Sequence, residues 1–284
     1  MSSSESFHAP AGQPSLSFDR AAPLYDATRG YPPDVAERIG AAIIDAAAPS
    51  VDARFLEVGV GTGRIALPIA SRGYDYTGVD ISEGMVARLR EKAAALQKEG
   101  AAAAPLRLHV VMADMTALPF PDASFDVVVA VHVFHLVSAW KQAVDEVLRV
   151  LRPGGLFLHC WDRHLAPTPV NGSMQERWEE IVRELGRGVI PLGAADRSVV
   201  TEYLRERGLA VETLPTVTWT TNESPRDTFD YIAQRIWSRT WLVSDEVFAT
   251  SIQRLESWAI AHYGADYTTP QSKTQQFIIS RTRR

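Results

Sequence analysis

The chain has 284 residues, a formal net charge of −5 and one cysteine, Cys160. Hydrophobic residues make up 46% of it and charged residues 22%, as in ordinary globular domains, which excludes a disordered or fibrous protein. The acidic balance argues against a nucleic-acid partner, and a single cysteine excludes an internal disulfide. No apolar run approaches the ~20 residues of a membrane helix, and the polar first residues predict no secretory signal. We therefore expect a cytoplasmic protein without a membrane span.

The N-terminal region divides into two parts. Residues 1–17 are rich in Ser, Pro, Ala and Gly and predict a disordered tail. The segment from Phe18 to Pro32 is aromatic and charged, and it is too patterned for a linker. Pro33-Asp34 then predicts the start of a helix that runs to about residue 48, because proline is tolerated in the first turn.

From residue 54 onward, short β-rich runs alternate with helical patterns. Residues 140–151 show this best, with an apolar stripe at Val144, Val147, Leu148 and Leu151. Apolar strands separated by helices indicate a parallel sheet covered on both faces. The predicted strands are 55–60, 76–79, 106–112, 125–131 and 156–161, and the predicted helices are 63–72, 82–99 and 140–151.

The second half has a different rhythm. Helices are predicted near 173–186 and 196–207, a strand near 210–219, two helices that begin at Ser224 and Ser244, and a last strand at 276–280. We interpret 18–284 as a single domain made of an arm and helix (18–50), a core (51–162), a helical cover (163–270) and a terminal strand (271–284).

The strongest local signal is the run from Phe55 to Ala66, in which a buried strand enters a glycine-rich turn and then a helix. Gly59, Gly61 and Gly63 permit positive φ angles and let a ligand approach backbone N–H groups. A nucleotide-like ligand at the carboxyl end of the first strand is the expected occupant.

The loop alone leaves two interpretations open. Gly61-x-Gly63-x-x-Ala66 also satisfies the dinucleotide pattern, and Asp80 could hold a ribose in either case because a carboxylate accepts from two vicinal hydroxyls. Three features favour an adenosyl ligand other than NAD: the acidic Glu57 before the first glycine, Asp114-Met115 at the third strand's end, and the lack of a second nucleotide-binding half. An NAD(P)-dependent oxidoreductase remains the alternative.

Several further motifs occur in a fixed order along the chain. They are Glu57-x-Gly59-x-Gly61-x-Gly63, Gly78-Val-Asp80-Ile-Ser82, Asp114-Met-Thr-Ala-Leu-Pro119-Phe, Ser124-Phe-Asp126 and Leu148-Arg-Val-Leu-Arg152-Pro-Gly-Gly155. With these motifs the sequence resembles the class I S-adenosylmethionine-dependent methyltransferases, above all the small-molecule branch that includes quinone-biosynthesis enzymes. The resemblance covers roughly residues 18–162 and the C-terminal strand pattern.

The resemblance implies an α/β fold: a doubly wound, Rossmann-like, seven-stranded and mostly parallel sheet whose last strand is antiparallel, with a helical cover. It implies S-adenosylmethionine as cofactor and S-adenosylhomocysteine as product. The glycine loop would hold the methionine moiety and Asp80 the ribose. Ile81, Met85 and Met115 would line the adenine, with Asp114 near its amino group.

The resemblance also assigns roles to the N-terminal arm. In Tyr25-Asp-x-x-Arg29-Gly-Tyr31-Pro, Tyr25 would cover the methyl end of the cofactor and Arg29 would pair with its carboxylate. His132, after the fourth strand, is a candidate for lining the site and for accepting a substrate proton. His159, Asp162 and His164 invite a metal hypothesis, but without further ligands we expect no metal.

Together these observations predict a methyltransferase that acts on a small-molecule acceptor by in-line transfer. The sulfonium methyl is already activated, so the protein's main tasks would be alignment and exclusion of water. A non-catalytic protein that binds S-adenosylmethionine is the other alternative.

Overall fold

The computed structural model describes residues 15–100, 105–165, 171–186, 188 and 192–284, with the side chains of 171–173 left aside. The predicted tail lies outside these residues up to position 14, as does the alanine-rich stretch 101–104. Where the description begins, Ser15 forms a β-bridge with Val137, and the Leu16 N–H donates to the Leu136 carbonyl over 2.9 Å.

Helices and strands alternate through most of the first half of the chain, although β4 follows β3 with no helix between them. The helices are α1 (Tyr25–Arg29), α2 (Pro33–Ala47), α3 (Ala66–Ala70), α4 (Glu83–Glu99), α5 (Trp140–Val150), α6 (Asn171–Glu184), α7 (Arg197–Glu206), α8 (Pro225–Ala233) and α9 (Asp245–Tyr263). The strands are β1 (Arg54–Val58), β2 (Asp75–Asp80), β3 (Leu108–Met112), β4 (Phe125–Val131), β5 (Leu151–His164), β6 (Val211–Glu223) and β7 (Gln271–Arg283).

The strands form one seven-stranded sheet in the order β3-β2-β1-β4-β5-β7-β6. β1 pairs in parallel with β2 and β4, β2 with β3, and β4 with β5. β7 is antiparallel to β5. Gly155, near the start of β5, bonds to Arg284 at the end of the chain, whereas Arg163, near the end of β5, bonds to Gln276 in the first half of β7. The predicted fold class, including the antiparallel last strand, is confirmed.

The largest difference from the predicted elements lies at β5, which begins at Leu151 rather than near 156. Its register against β4 jumps, with Phe125 opposite Leu151 but Val127 opposite Leu156. The extra residues contain Gly154 at φ +80°, whose N–H donates to the Arg284 carbonyl. The Pro-Gly-Gly turn therefore leaves the β4 ladder and bonds to the end of the chain instead.

The chain divides into two compact units. The first comprises Pro14–Arg163, Leu192–Val217 and Gln276–Arg284, and the described residues of the second fall in His164–Pro191 and Thr218–Gln275. The core of the first unit buries the sheet residues Leu56, Val128 and Phe157 together with Val144 of α5 and Leu204 of α7. The apolar stripe predicted for α5 thus faces this core. The single-domain boundaries stay a prediction.

The second unit is built on α6, α8 and α9, which bury a separate apolar cluster. Trp178 of α6 is fully enclosed, and its indole N–H donates to the Ser251 hydroxyl of α9 over 3.0 Å. Ser224 and Asp227 form a capping box at the start of α8, which satisfies two otherwise unpaired donors. Among the described residues, no helix combines the length and apolarity needed to cross a bilayer.

Two glycines of the turn after β1 differ in what surrounds them. A Cβ on Gly63, at φ +80°, would lie 2.2 Å from Leu89 Cδ1 of α4, whereas one on Gly61, at φ +55°, would meet no atom within 4 Å. Gly63 therefore permits the close approach of α4, and Gly61 leaves space for something else.

We expect Gly63→Ala to destabilise the protein more than Gly61→Ala. Both substitutions strain a left-handed backbone by about 1–2 kcal/mol. Only the first also overpacks the α4 contact, which adds about 1–3 kcal/mol. Urea unfolding of the two variants measures the difference, and equal losses would show that the α4 contact is not what requires a glycine at 63.

Candidate functional site

The carboxyl ends of the central strands meet where the strand order reverses, between β1 and β4. Open α/β sheets bind their ligands in the crevice outside such a switch point. A pocket lies there, and it is mostly apolar with a few polar groups. Its lining consists of Ser15, Leu16, Phe18, Tyr25, Gly59, Gly61, Val79, Asp80, Ile81, Met85, Ala113, Met115, Val131, His132, Val133, Leu136 and Val137.

The glycine loop forms one wall of this pocket. Gly61 N–H donates to the Asp80 carboxylate over 2.8 Å, and the space beside Gly61 is open. Gly59, at φ +71°, also lines the pocket, but a Cβ there would meet Val133 at 2.5 Å. Gly63 is not part of the lining. The three glycines thus serve different purposes, and Gly61 offers the open approach a ligand needs.

Asp80 ends β2 and joins the loop to the start of α4. One carboxylate oxygen accepts from Gly61 N–H and the other from Ser82 N–H, at 2.8 and 2.9 Å. Burial raises the pKa of Asp80 above its usual range, while these amide donors oppose the increase. Each carboxylate oxygen has a second lone pair, so the group can also accept from a bound diol.

The walls beside Asp80 are apolar. Ile81 and Met85 lie on one side, and Met115, which is 5% exposed, contributes from the turn after β3. Asp114 is not part of the pocket lining. Its Oδ1 accepts from the N–H and the hydroxyl of Thr116, both at 2.8 Å. Asp114 thus holds the turn that presents Met115.

The N-terminal arm, residues 15–31, closes the pocket on the side opposite the sheet. Phe18 and Tyr25 line the pocket and contact each other edge to face. Asp19 accepts from Ser82 Oγ at 2.6 Å and from Gly84 N–H at 2.8 Å, so it caps the start of α4.

A second contact fastens the arm to the loop. Asp26 Oδ1 accepts from the Thr62 hydroxyl at 2.5 Å and lies 3.0 Å from Lys92 Nζ of α4. The arm is therefore connected both to the glycine loop and to the helix that follows Asp80.

Two arginines lie near the end of the arm in different surroundings. Neither arginine is part of the pocket lining. The Arg29 side chain is exposed, while its backbone carbonyl accepts from Arg64 Nη1 at 2.9 Å. The Arg64 guanidinium lies 4.7 Å from the centre of the Tyr31 ring. Burial acts to lower the pKa of Arg64, but the nearby Tyr31, Tyr25 and Asp162 outweigh it and keep the group charged. The sequence analysis did not single out Arg64, although it directly follows the last loop glycine.

Glu57 is enclosed beneath the loop at 2% exposure. The Tyr76 hydroxyl donates to its Oε2 over 2.9 Å. Loss of solvation raises the pKa of Glu57 from 4.5 to about 8, despite this hydrogen bond and the charge of Arg64. The carboxyl therefore carries a proton at neutral pH and lies behind the pocket rather than in its lining.

His132 brings a second polar group to the pocket. It lines the pocket from the end of β4, and its Nε2 lies 3.0 Å from Asp162 Oδ2 and 2.9 Å from the Asp162 backbone nitrogen. The Tyr31 hydroxyl donates to the same carboxylate at 3.0–3.1 Å. The contact between His132 and Asp162 follows from the parallel pairing of Val131 with Cys160, because each of the two residues comes shortly after a paired position.

His159 and Cys160, on β5, are both buried. His159 is buried against Phe157 and Trp161, and burial lowers its pKa to about 3. Burial likewise raises the pKa of the Cys160 thiol. Among the residues that the structure describes, no cluster of three or more histidine, cysteine or acidic side chains could hold a metal ion.

Comparisons with known proteins identify the family. Residues 56–159 match the family model described as a methyltransferase domain. The chain is 30% identical to demethylmenaquinone methyltransferase of Clavibacter sepedonicus over 198 residues. The aligned region covers 69% of this chain and 74% of that protein. It is 35% identical over 172 residues to 27-O-demethylrifamycin SV methyltransferase of Amycolatopsis mediterranei, which covers 60% of this chain and 59% of that protein.

Solved structures agree on the fold. The cyclase SpnF superposes with a TM-score of 0.55 at 21% identity, covering 94% of this chain and 93% of that one. Since a cyclase shares the architecture, the fold by itself does not determine the reaction.

The chain belongs to the class I S-adenosylmethionine-dependent methyltransferases, as its motifs indicated. The cofactor of this family is S-adenosylmethionine and the product S-adenosylhomocysteine. The relatives favour this assignment over the dinucleotide interpretation of the glycine loop. The match spans less than two thirds of the A. mediterranei protein.

The buried Glu57 predicts a specific pH dependence of stability. Its pKa is higher in the folded chain than the ordinary 4.5, so the folded state binds the extra proton between about pH 4.5 and 8. Its contribution is intact below this window and is lost as pH rises through it, by at most about 1.4 kcal/mol per pH unit.

Glu57→Gln, which retains the acceptor for Tyr76, should therefore gain stability relative to wild type as pH increases. Thermal melts of both proteins from about pH 5.5 to 8.5 measure the difference. Parallel curves over that range would show that Glu57 is not protonated in the folded state.

Proposed function

We propose that this chain transfers the methyl group of S-adenosylmethionine to a small-molecule acceptor. The observation that carries the proposal is the Asp80 carboxylate beside the open approach at Gly61, at the switch point of the sheet. The named relatives act on a quinone precursor and on a rifamycin, which supports a small acceptor. The net charge of −5 makes a nucleic-acid acceptor unfavourable.

The residues of the pocket fit an adenosyl ligand. The remaining lone pairs of Asp80 suit a ribose diol, and the neighbouring apolar side chains of Ile81, Met85 and Met115 suit a flat adenine ring. The open space beside Gly61 lets the methionine moiety approach the loop backbone. Asp114, assigned to the adenine amino group by resemblance, acts in this proposal through the turn that presents Met115.

At the methionine end we assign the carboxylate to Arg64. The cation is held against Tyr31 and beside the loop, whereas the Arg29 side chain points to an exposed position. A planar guanidinium matches a carboxylate with two parallel hydrogen bonds. Glu57 lies one layer deeper, and its neutral carboxyl supports the loop without placing a second negative charge beside Asp80.

The protein's main contribution to the reaction is to position the reactants. When bound, S-adenosylmethionine would supply a methyl group attached to a positively charged sulfur, and the rest of the cofactor would leave as a neutral thioether. The loop and Asp80 fix the position of that methyl group, and orientation of this kind accounts for much of enzymatic rate enhancement. Tyr25, Phe18 and Leu16 of the arm exclude water from the reacting centre. His132 lies where an acceptor nucleophile would approach from the ends of β4 and β5.

We expect the wild-type protein to bind S-adenosylhomocysteine with a Kd of about 1–100 μM in calorimetry, in the usual range for enzyme ligands. NAD⁺ should give no heat. No binding of S-adenosylhomocysteine, or binding of NAD⁺ in its place, would contradict the proposal.

Gly61→Val should abolish this binding, because its side chain enters the open space of the pocket. Gly154→Val is a matched control, since Gly154 also has a positive φ and no atom within 4 Å of an added Cβ but does not line the pocket. Backbone strain is thus similar in both, and equal loss of affinity would locate the ligand elsewhere.

Arg64 and Arg29 make a second matched pair. Arg64→Met should weaken S-adenosylhomocysteine binding by about tenfold or more, or at least ~1.4 kcal/mol, while Arg29→Met should change it by less than about threefold. Calorimetry of both variants, with thermal melts to verify folding, measures this. A larger effect at Arg29 would restore the role that the resemblance assigns to it.

A further inference from the structure

His132 adopts a backbone conformation that side chains rarely tolerate. Its φ is +50°, and it sits at the first position after β4, where its N–H donates to the Cys160 carbonyl over 3.2 Å. A left-handed conformation at a non-glycine residue persists only when the surroundings impose it, and such residues concentrate at functional sites. The fold here imposes one orientation of an imidazole that lines the pocket.

The imidazole meets two groups of one residue. Nε2 lies 3.0 Å from Asp162 Oδ2, an acceptor, and 2.9 Å from the Asp162 backbone N–H, a donor. A single ring nitrogen cannot donate and accept at the same time, so the two contacts correspond to two proton positions. When the proton is on Nε2, Nε2 donates to the Asp162 carboxylate. When the proton is on Nδ1, Nε2 accepts from the Asp162 backbone N–H.

The surroundings favour the carboxylate as the partner. The side chain of Asp162 is largely enclosed, at 20% exposure, and the Tyr31 hydroxyl donates to it. Burial would raise the pKa of Asp162, but His132, Arg64 and Tyr31 outweigh burial and lower it, so the group stays ionised. An ionised carboxylate makes the stronger, charge-assisted hydrogen bond and attracts the proton to Nε2. Nδ1 then keeps its lone pair, on the side of the ring away from Asp162.

We propose that Asp162 is a positioning residue that holds His132 in the Nε2–H form, so that its Nδ1 accepts the proton of a hydroxyl-bearing acceptor. The inference rests on the proposed function and deepens it, because it specifies the acceptor. A carboxylate or an amine that is already neutral needs no base before it attacks, whereas the hydroxyl of a phenol or enol does.

The proton and electrons balance as follows. The acceptor O–H bond breaks, its proton moves to Nδ1 of His132, and its electron pair forms the new bond to the methyl carbon. The pair of the broken carbon–sulfur bond stays on sulfur. For a conjugated acceptor, the new bond forms at oxygen or at the ring carbon that shares the charge. The imidazolium is stabilised by Asp162 and later returns its proton to water.

A purely structural role is the competing explanation, in which Tyr31 and Asp162 only fasten the arm. Such a role predicts that changes at Asp162 alter ligand affinity and stability but not the proton position on His132. The two explanations differ in an observable that needs no acceptor.

The test uses ¹⁵N NMR of the histidine side chains in the full chain, saturated with S-adenosylhomocysteine. In wild type, His132 should carry its proton on Nε2, and in Asp162→Asn the proton should move to Nδ1, because the amide group is no longer an anionic acceptor. Tyr31→Phe should keep the wild-type form, since the carboxylate remains. A proton on Nδ1 in wild type, or no change in Asp162→Asn, would overturn the proposal.

Calorimetry on the same samples separates this inference from the proposed function. Asp162→Asn should bind S-adenosylhomocysteine within about threefold of wild type, a difference below ~0.7 kcal/mol. If wild type bound the ligand but the proton position failed the prediction, only the relay would be wrong. If wild type did not bind it at all, the proposed function would fail as well.

Methyl transfer gives the second measurement, with release of S-adenosylhomocysteine as the signal. The probes are catechol and 1,4-dihydroxynaphthalene against aniline, which is neutral at pH 7, and benzoate, with mass spectrometry to separate O-methyl from C-methyl products. Turnover of a hydroxyl probe that falls by about 10²–10⁴-fold in Asp162→Asn supports the proposal. Turnover of the amine or carboxylate alone, or turnover equal in both proteins, overturns it.

Discussion

The site depends on one hydrogen bond, from the Gly61 N–H to the Asp80 carboxylate. It joins the turn after β1 to the end of β2, and Asp80 in turn accepts from Ser82 at the start of α4. A buried carboxylate is costly unless donors surround it, and here the backbone supplies them. The same group that fixes the loop also lines the pocket, so in the proposed function one residue serves both folding and ligand recognition.

Much of the fold could be predicted from the sequence because the patterns that define it are local. Strand and helix periodicities are local, and the parallel order of the first five strands follows from apolar runs separated by helices. The pocket residues Gly61, Asp80 and Ile81 lie just after or at the ends of β1 and β2, and Met85 lies in the first turn of α4, so their spacing along the chain already indicates proximity. Their motifs are therefore recognisable from the order of the amino acids alone.

The parts that escaped prediction depend on distant pairs. Asp162 meets His132 only because the register of β4 and β5 aligns them, and alternation alone does not set that register between strands. The exposure of the Arg29 side chain and the contact of Arg64 with Tyr31 are tertiary properties that a motif does not encode. Likewise Asp114 had the right position at a strand end, but its Oδ1 is engaged by Thr116.

The arm has a consequence for how the protein responds to salt. Asp19 is bound to the first turn of α4, and Asp26 to Thr62 and Lys92, so the arm bridges the two elements that flank the pocket. The Asp26–Lys92 pair is partly exposed, and pairs of this kind weaken as ionic strength increases. Added salt should therefore loosen the attachment of the arm to α4 while the hydrogen bonds between neutral groups elsewhere in the sheet are unaffected.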